Sequence, residues 1–133
     1  MPTNMTYISF AAFANCTSLE NIVLPKGIDL IYHYTFYNCT SLSYLTLLSS
    51  RYNFLSYLFY GRANLKYIEK YKNIVFIQEY AFAFISSLDN IIFSEKIASI
   101  LEGVFQSCSC LKILTFLGNN LEMIYNNAFS GWI

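Results

Sequence analysis

Four cysteines, one histidine and three N-x-T triplets are the residues of this chain whose chemistry goes beyond packing. Cys16, Cys39 and Cys108 come first, with Cys110 two residues after the last. Cys16 and Cys39 sit in nearly the same phrase, "AFANCTSL" (12–19) and "TFYNCTSL" (35–42), 23 residues apart. A structural zinc site takes four ligands, and Cys108-Ser109-Cys110 lacks the second Cys or His pair. No metal site is expected. A disulfide tolerates Cα atoms up to about 7 Å apart, which stacked coils allow for Cys16 and Cys39. The preferred reading is free, mostly buried thiols serving as small apolar residues, with that disulfide as the alternative. A hydrolase triad would have to use His33, the only histidine, with Asp29 as its orienting acid. No G-x-S-x-G, Walker or dinucleotide glycine motif accompanies them, so the expectation is no catalytic residue, no cofactor and no enzyme. Asn4, Asn15 and Asn38 head the three triplets and could carry glycan in a eukaryotic secretory route. The preferred reading is that Asn and Thr bond turn backbone groups locally.

What places these residues is a period. Steps of 23 from Phe13 land on Phe36, Phe59, Phe82 and Phe105; Phe129 lies one residue beyond the next step. Steps from Leu19 land on Leu42, Leu65, Leu88 and Leu111. Ile22, Leu45, Ile68, Ile91 and Leu114 make a third column. Ile8, Ile31, Phe54, Ile77 and Ile100 make a fourth, with Ile124 after the same one-residue shift. A fixed period of about 20–29 residues around an L-x-x-L-x-L segment marks a repeat that buries its apolar side only by stacking. The predicted fold is a repeat solenoid of about 23 residues per coil, with a short parallel β-sheet and little α-helix. The L-x-x-L-x-L segments supply five strands about 4.8 Å apart, and the Phe and Ile columns fill the opposite wall. The domain reading is one solenoid over 1–133, five repeats plus a partial sixth, read either as a piece of a longer array or as a module that associates through its ends.

The pattern I-x-x-x-[A/T]-F-x-N-C-x-S-L-x-x-[I/L]-x-L resembles the BspA-like, or treponemal-type, leucine-rich repeat family. "ISFAAFANCTSLENIVLP" and "IYHYTFYNCTSLSYLTL" carry it best, and the Phe and Leu columns carry it onward through nearly the whole chain. The resemblance implies a non-enzymatic protein-interaction module, part of a cell-surface or secreted adhesin. The alternatives are a structural spacer, a degenerate fragment with no specific ligand, or an intracellular scaffold.

The third repeat departs from the pattern. Arg62 takes the Cys column and Lys70 the last strand column, both inward in an ideal coil. Burying an unpaired charge is costly, so the coil is expected to bulge or the long stems to reach outward. No polar cap is evident at either end, and the strand Leu111 to Phe116 reads as an uncovered edge open to end-to-end self-association.

The chain is 56% apolar, 12% charged and formally neutral. That excludes a basic nucleic-acid binder and a disordered chain. No apolar run is long enough to span a membrane, and no positive segment precedes "YISFAAFANC" to make it a signal peptide. The resemblance implies that the partner is a protein. In each strand, residues one, two and four after the leading Leu face outward. Tyr44 and Tyr67 fall side by side there, with Lys66 and Glu69 beside them and Asp89 and Asn90 on the next strand. Lys66, Asp89 and Lys112 alternate in sign across neighbours, which favours pairing. Tyr is enriched at binding hot spots, and these six residues are the candidate partner-binding set.

Overall fold

A computed structural model describes residues 4–49, 51–61, 64–69 and 74–132. It is a parallel β-solenoid, with no helix among the described residues. The strands are β1 (Tyr7–Ile8), β2 (Asn21–Leu24), β3 (Leu30–Ile31), β4 (Tyr44–Leu47), β5 (Tyr52–Phe54), β6 (Tyr67–Glu69), β7 (Ile74–Ile77), β8 (Asn90–Phe93), β9 (Ser99–Ile100), β10 (Ile113–Phe116) and β11 (Met123–Ile124). One wall holds the L-x-x-L-x-L strands, as β2-β4-β6 and β8-β10. A second holds the strands of the Ile8 column, as β1-β3-β5-β7 and β9-β11. Partners stand 23 residues apart, as in Ile22↔Leu45↔Ile68 and Ile91↔Leu114. The last pair, Ile124↔Ile100, carries the one-residue shift.

The third wall is made of turns. Its core is a ladder of six phenyl rings, Phe13, Phe36, Phe59, Phe82, Phe105 and Phe129, stacked at 5.5–5.7 Å between neighbours. The four inner rings are fully buried, so the aromatic excess of the sequence is largely core. Two positions in every turn lie in the left-handed region. Two residues before each Phe stand Ala11, Tyr34, Tyr57, Tyr80, Gly103 and Asn127; two after it stand Asn15, Asn38, Gly61, Phe84, Ser107 and Gly131. Most of these residues in the first five turns, and the Phe between them, donate their N–H groups to the next coil, as in Ala11 to His33, Phe13 to Thr35 and Asn15 to Tyr37. The turn wall is thus a hydrogen-bonded ladder like the strand walls.

This accounts for the repeated phrase around Cys16 and Cys39. Asn15 and Asn38 adopt the left-handed conformation that Asn tolerates better than most residues. Their side chains bond each other, Asn38 Nδ2 donating to Asn15 Oδ1 at 3.0 Å, where bonds to the turn backbone were expected. Cys39 and Cys108 of the Cys column then point inward, and each Sγ reaches the carbonyl of the Phe one coil back.

Four structural features depart from or add to these expectations. The five L-x-x-L-x-L strands do not form one sheet. Among the described residues β6 and β8 are not paired, nor are β7 and β9, so both strand walls stop at the same level. The Lys66–Asp89 alternation therefore spans a gap, not a strand pair. Second, the Ile8 column forms strands of its own. Third, a bulge lies between Tyr52 and Asn53 against β7. Arg51 falls in step with Ile28 but is exposed, and Tyr52 takes the buried place. The Tyr52 hydroxyl donates to the Leu24 carbonyl at 3.2 Å and accepts from the Ser49 N–H at 3.0 Å. Arg62 and Lys70, on which the expected bulge was placed, lie outside the described residues. Fourth, Cys16 and Cys110 are exposed, whereas Cys39 and Cys108 are buried.

Candidate interaction surfaces on the solenoid

The outer face of the β2-β4-β6 wall follows from strand alternation, which sends every second side chain away from the core. Ile22, Leu24, Leu45, Leu47 and Ile68 are buried, while Asn21, Tyr44 and Tyr67 face out. Tyr44 and Tyr67 are register partners. Their rings lie 6.4 Å apart, tilted at 57°, and they are 52% and 51% exposed. Lys66 is exposed at the entry to β6. Glu69 closes that strand, and it is described in its backbone alone.

Asp89 and Asn90 are exposed at the start of β8, across the gap from β6. Asn90 Nδ2 donates to Asp89 Oδ1 at 2.8 Å, which holds the two side chains together. The gap is a cleft of about 70 Å³ lined by Lys66, Tyr67, Ile68, Leu88, Asn90 and Ile91. Ser87 spans the gap, its hydroxyl donating to the Leu65 carbonyl at 2.7 Å. So Tyr44, Lys66, Tyr67, Asp89 and Asn90 are exposed along this wall, and Lys66, Tyr67 and Asn90 border a notch where a continuous sheet was expected. Sequence reasoning missed the notch because the Leu and Ile columns run through it unbroken.

The thiols make no cluster. All four are free. Burial pushes the Cys39 thiol up to about 11 and the Cys108 thiol up to about 12. Neutral thiols donating to carbonyls are packing groups, not nucleophiles. Among the described residues no group of three His, Cys, Asp or Glu side chains could hold a metal ion.

Trp132 is a residue the sequence reading passed over. It falls on the Cys column of the sixth turn, once the one-residue shift is applied. Its indole N–H donates to the Leu111 carbonyl, and its ring centroid lies 5.0 Å from that of Phe129. The shift that moves Phe129 was the available signal.

Six rungs of Phe imply six repeats, and a model of the BspA type leucine-rich repeat region matches residues 1–132 in six copies. The chain belongs to the BspA-type leucine-rich repeat family. Among solved structures it is similar to a leucine-rich repeat protein from Bacteroides ovatus, with a TM-score of 0.73 and 22% identity. The match covers 100% of this chain and 40% of that one. That likeness shows a shared fold, and this BspA-type chain spans 40% of that protein's length. No curated protein matches. No helix among the described residues is long and apolar enough to cross a membrane. A BspA-type repeat protein is a repeat interaction module, of a kind that is typically non-enzymatic.

Proposed function

We propose that this BspA-type module is a non-enzymatic part of a cell-surface or secreted adhesin that binds a protein through the outer face of its β2-β4-β6 wall. The observation that carries the reading is the Tyr44–Tyr67 pair, two half-exposed rings on paired strands at the centre of that face. Val23, on β2, is 54% exposed and extends the apolar strip. Rigid, amphipathic aromatics with polar neighbours match the make-up of a hot spot. Lys66, Glu69, Asp89 and Asn90 supply the polar rim, and the notch between β6 and β8 receives the tip of a partner side chain.

The test is capture of a partner from native extract, followed by its affinity for variants. Tyr44→Ala with Tyr67→Ala should weaken binding by more than about 1 kcal/mol while the fold survives. Gln78 on the opposite wall makes a poor control, because its Oε1 accepts bonds from Ser56. Phe76→Ala, an exposed residue of β7, should leave binding unchanged. A double Tyr variant that binds as well as the parent removes the sheet face from consideration.

A further inference from the structure

The turn wall carries a second aromatic surface, separate from the sheet face. Outside the buried Phe ladder, Tyr34, Tyr57 and Tyr80 stack at 5.0 Å per step, with interplanar angles of 2° and 5°. Tyr37 and Tyr60 stack beside them at 6.2 Å. The two stacks meet at a corner, Tyr37 standing at 68° to Tyr34 and Tyr60 at 70° to Tyr57. One coil earlier both columns drop to alanine, Ala11 and Ala14, so no ring of those columns covers Tyr34 and Tyr37 on that side. Phe10 stands over the step, its ring 5.7 Å from Tyr34 at 62°, and it is 63% exposed. The step is a groove of about 500 Å³. The far end is closed: a Cβ at Gly103 would lie 2.2 Å from the Tyr80 ring.

Two observations argue that this is more than packing. Tyr34, Tyr57 and Tyr80 hold φ values of 58°, 60° and 58°, a region that a bulky residue enters only against strain. Gly103 and Asn127 fill the same column at lower cost. The second is charge. The columns of this wall, three and two residues before the ladder and one and two after it, hold Glu79, Glu102 and His33 but no Lys or Arg, and Arg62, one column further on, lies outside the described residues. Both carboxylates are held in place, Ser56 Oγ donating to Glu79 Oε2 and Tyr80 Oη to Glu102 Oε1, each at 3.0 Å. Burial first, then the neighbouring hydroxyls, Glu102 and Glu79 raise the Tyr57 phenol above its ordinary value. Ring faces attract cations, and these two carboxylates add to that attraction.

We propose that the corner formed by Phe10, Tyr34 and Tyr37 binds arginine side chains of an extended basic segment of a partner protein. A guanidinium is planar and stacks on a flat ring, which an ammonium does not. Coils repeat at about 4.8 Å, which puts Glu79 about 10 Å and Glu102 about 14 Å along the axis from Tyr34. An extended peptide covers those spans in about three and four residues. One arginine on the rings and a second on a carboxylate therefore belong three or four residues apart.

The probe is a ten-residue peptide with arginines at three-residue spacing, compared with the same peptide carrying citrulline, which keeps the planar shape and loses the charge. The arginine peptide should bind about tenfold more tightly than the citrulline one, with an affinity that falls as salt rises. Phe10→Ala should weaken it several-fold, as should Tyr34→Ala, which copies the alanine already present in that column. Glu79→Gln with Glu102→Gln should flatten the salt dependence. Tyr44→Ala with Tyr67→Ala should change nothing, which separates this surface from the sheet face. Phe10→Ala serves even if Tyr34→Ala fails to fold, because Phe10 is exposed. Equal binding of the citrulline peptide overturns the proposal, and so does undiminished binding by folded Phe10→Ala protein. Tetramethylammonium binding more tightly than the arginine peptide would also overturn it, in favour of a small quaternary ammonium ligand.

Discussion

The Sγ of Cys39 lies 3.0 Å from the carbonyl oxygen of Phe13, one coil back, and Cys108 repeats the contact on Phe82 at the same distance. The bond explains why Cys recurs in the column. The site wants a small side chain that is apolar along its length and ends in a weak donor. Cys16 stands in the first coil, and Cys110 on a column of its own faces solvent.

Thiol titration should therefore divide two and two. In folded protein without reductant, Cys16 and Cys110 should react, and Cys39 and Cys108 should wait for denaturant, which releases all four. A total of two in denaturant would reveal a disulfide, and Cys16–Cys39 is the first pair to check.

Stability should fall in alkali. The ordinary thiol value of 9.0 is raised to about 11 in Cys39 and about 12 in Cys108. Above about pH 9 the unfolded chain loses protons that the folded chain keeps, so stability is full below that pH and declines as pH rises through the two folded values. Burial raises the Tyr52 phenol as well, in the same sense. Urea midpoints between about pH 8 and 11 should drop more steeply for the parent than for a Cys39→Ala, Cys108→Ala variant. Parallel profiles would contradict the burial argument.

The phenyl ladder is core, so Phe36→Ala and Phe82→Ala should each cost about 3–5 kcal/mol in denaturant unfolding. Lys112→Ala, on an exposed position, should cost under about 0.5 kcal/mol. Comparable midpoints for all three would contradict the register.

Tyr52→Phe keeps the ring and removes the hydroxyl that bonds the Leu24 carbonyl. The loss should be about 1–3 kcal/mol, read from thermal or urea unfolding. A neutral effect would show that the Tyr52 ring alone sets the bulge.

Gly103 has φ +62°, and a Cβ there would meet the Tyr80 ring. Gly103→Ala should destabilise by about 1–2 kcal/mol, and part of that loss should disappear in a Tyr80→Ala background, as a double-mutant cycle would show.

The columns were legible because each coil poses the same packing problem, so Phe and Leu return wherever a neighbour must be covered. The outward residues of the sheet were legible from the two-residue period of a strand, which Tyr44 and Tyr67 obey. The turn wall was not. Left-handed positions advertise themselves through Gly and Asn, yet here one such column reads Ala11, Tyr34, Tyr57, Tyr80, Gly103, Asn127. Three tyrosines hid the turn chemistry and, with it, the groove. Tyr52 was missed for a related reason. Arg51 holds the in-step position, and a one-residue slip is invisible where both neighbours are aromatic or charged. The gap between β6 and β8 had no signal in the apolar columns at all.

That gap falls at one level on both strand walls. Across it the described backbone bonds are those of the turn wall, Tyr80 to Glu102, Phe82 to Val104 and Phe84 to Gln106. Ser87 and Ser94 add single hydroxyl bonds to Leu65 and Ile74. The turn wall thus runs on where the strand walls part, with the stacked rings of Phe82 and Phe105 along it, and the buried core is one cluster on both sides. In amide exchange such a seam should separate two protection classes, since a local opening there breaks fewer described bonds than fraying within a sheet. The notch beside Tyr67 lies on this seam and draws its lining from both strand groups.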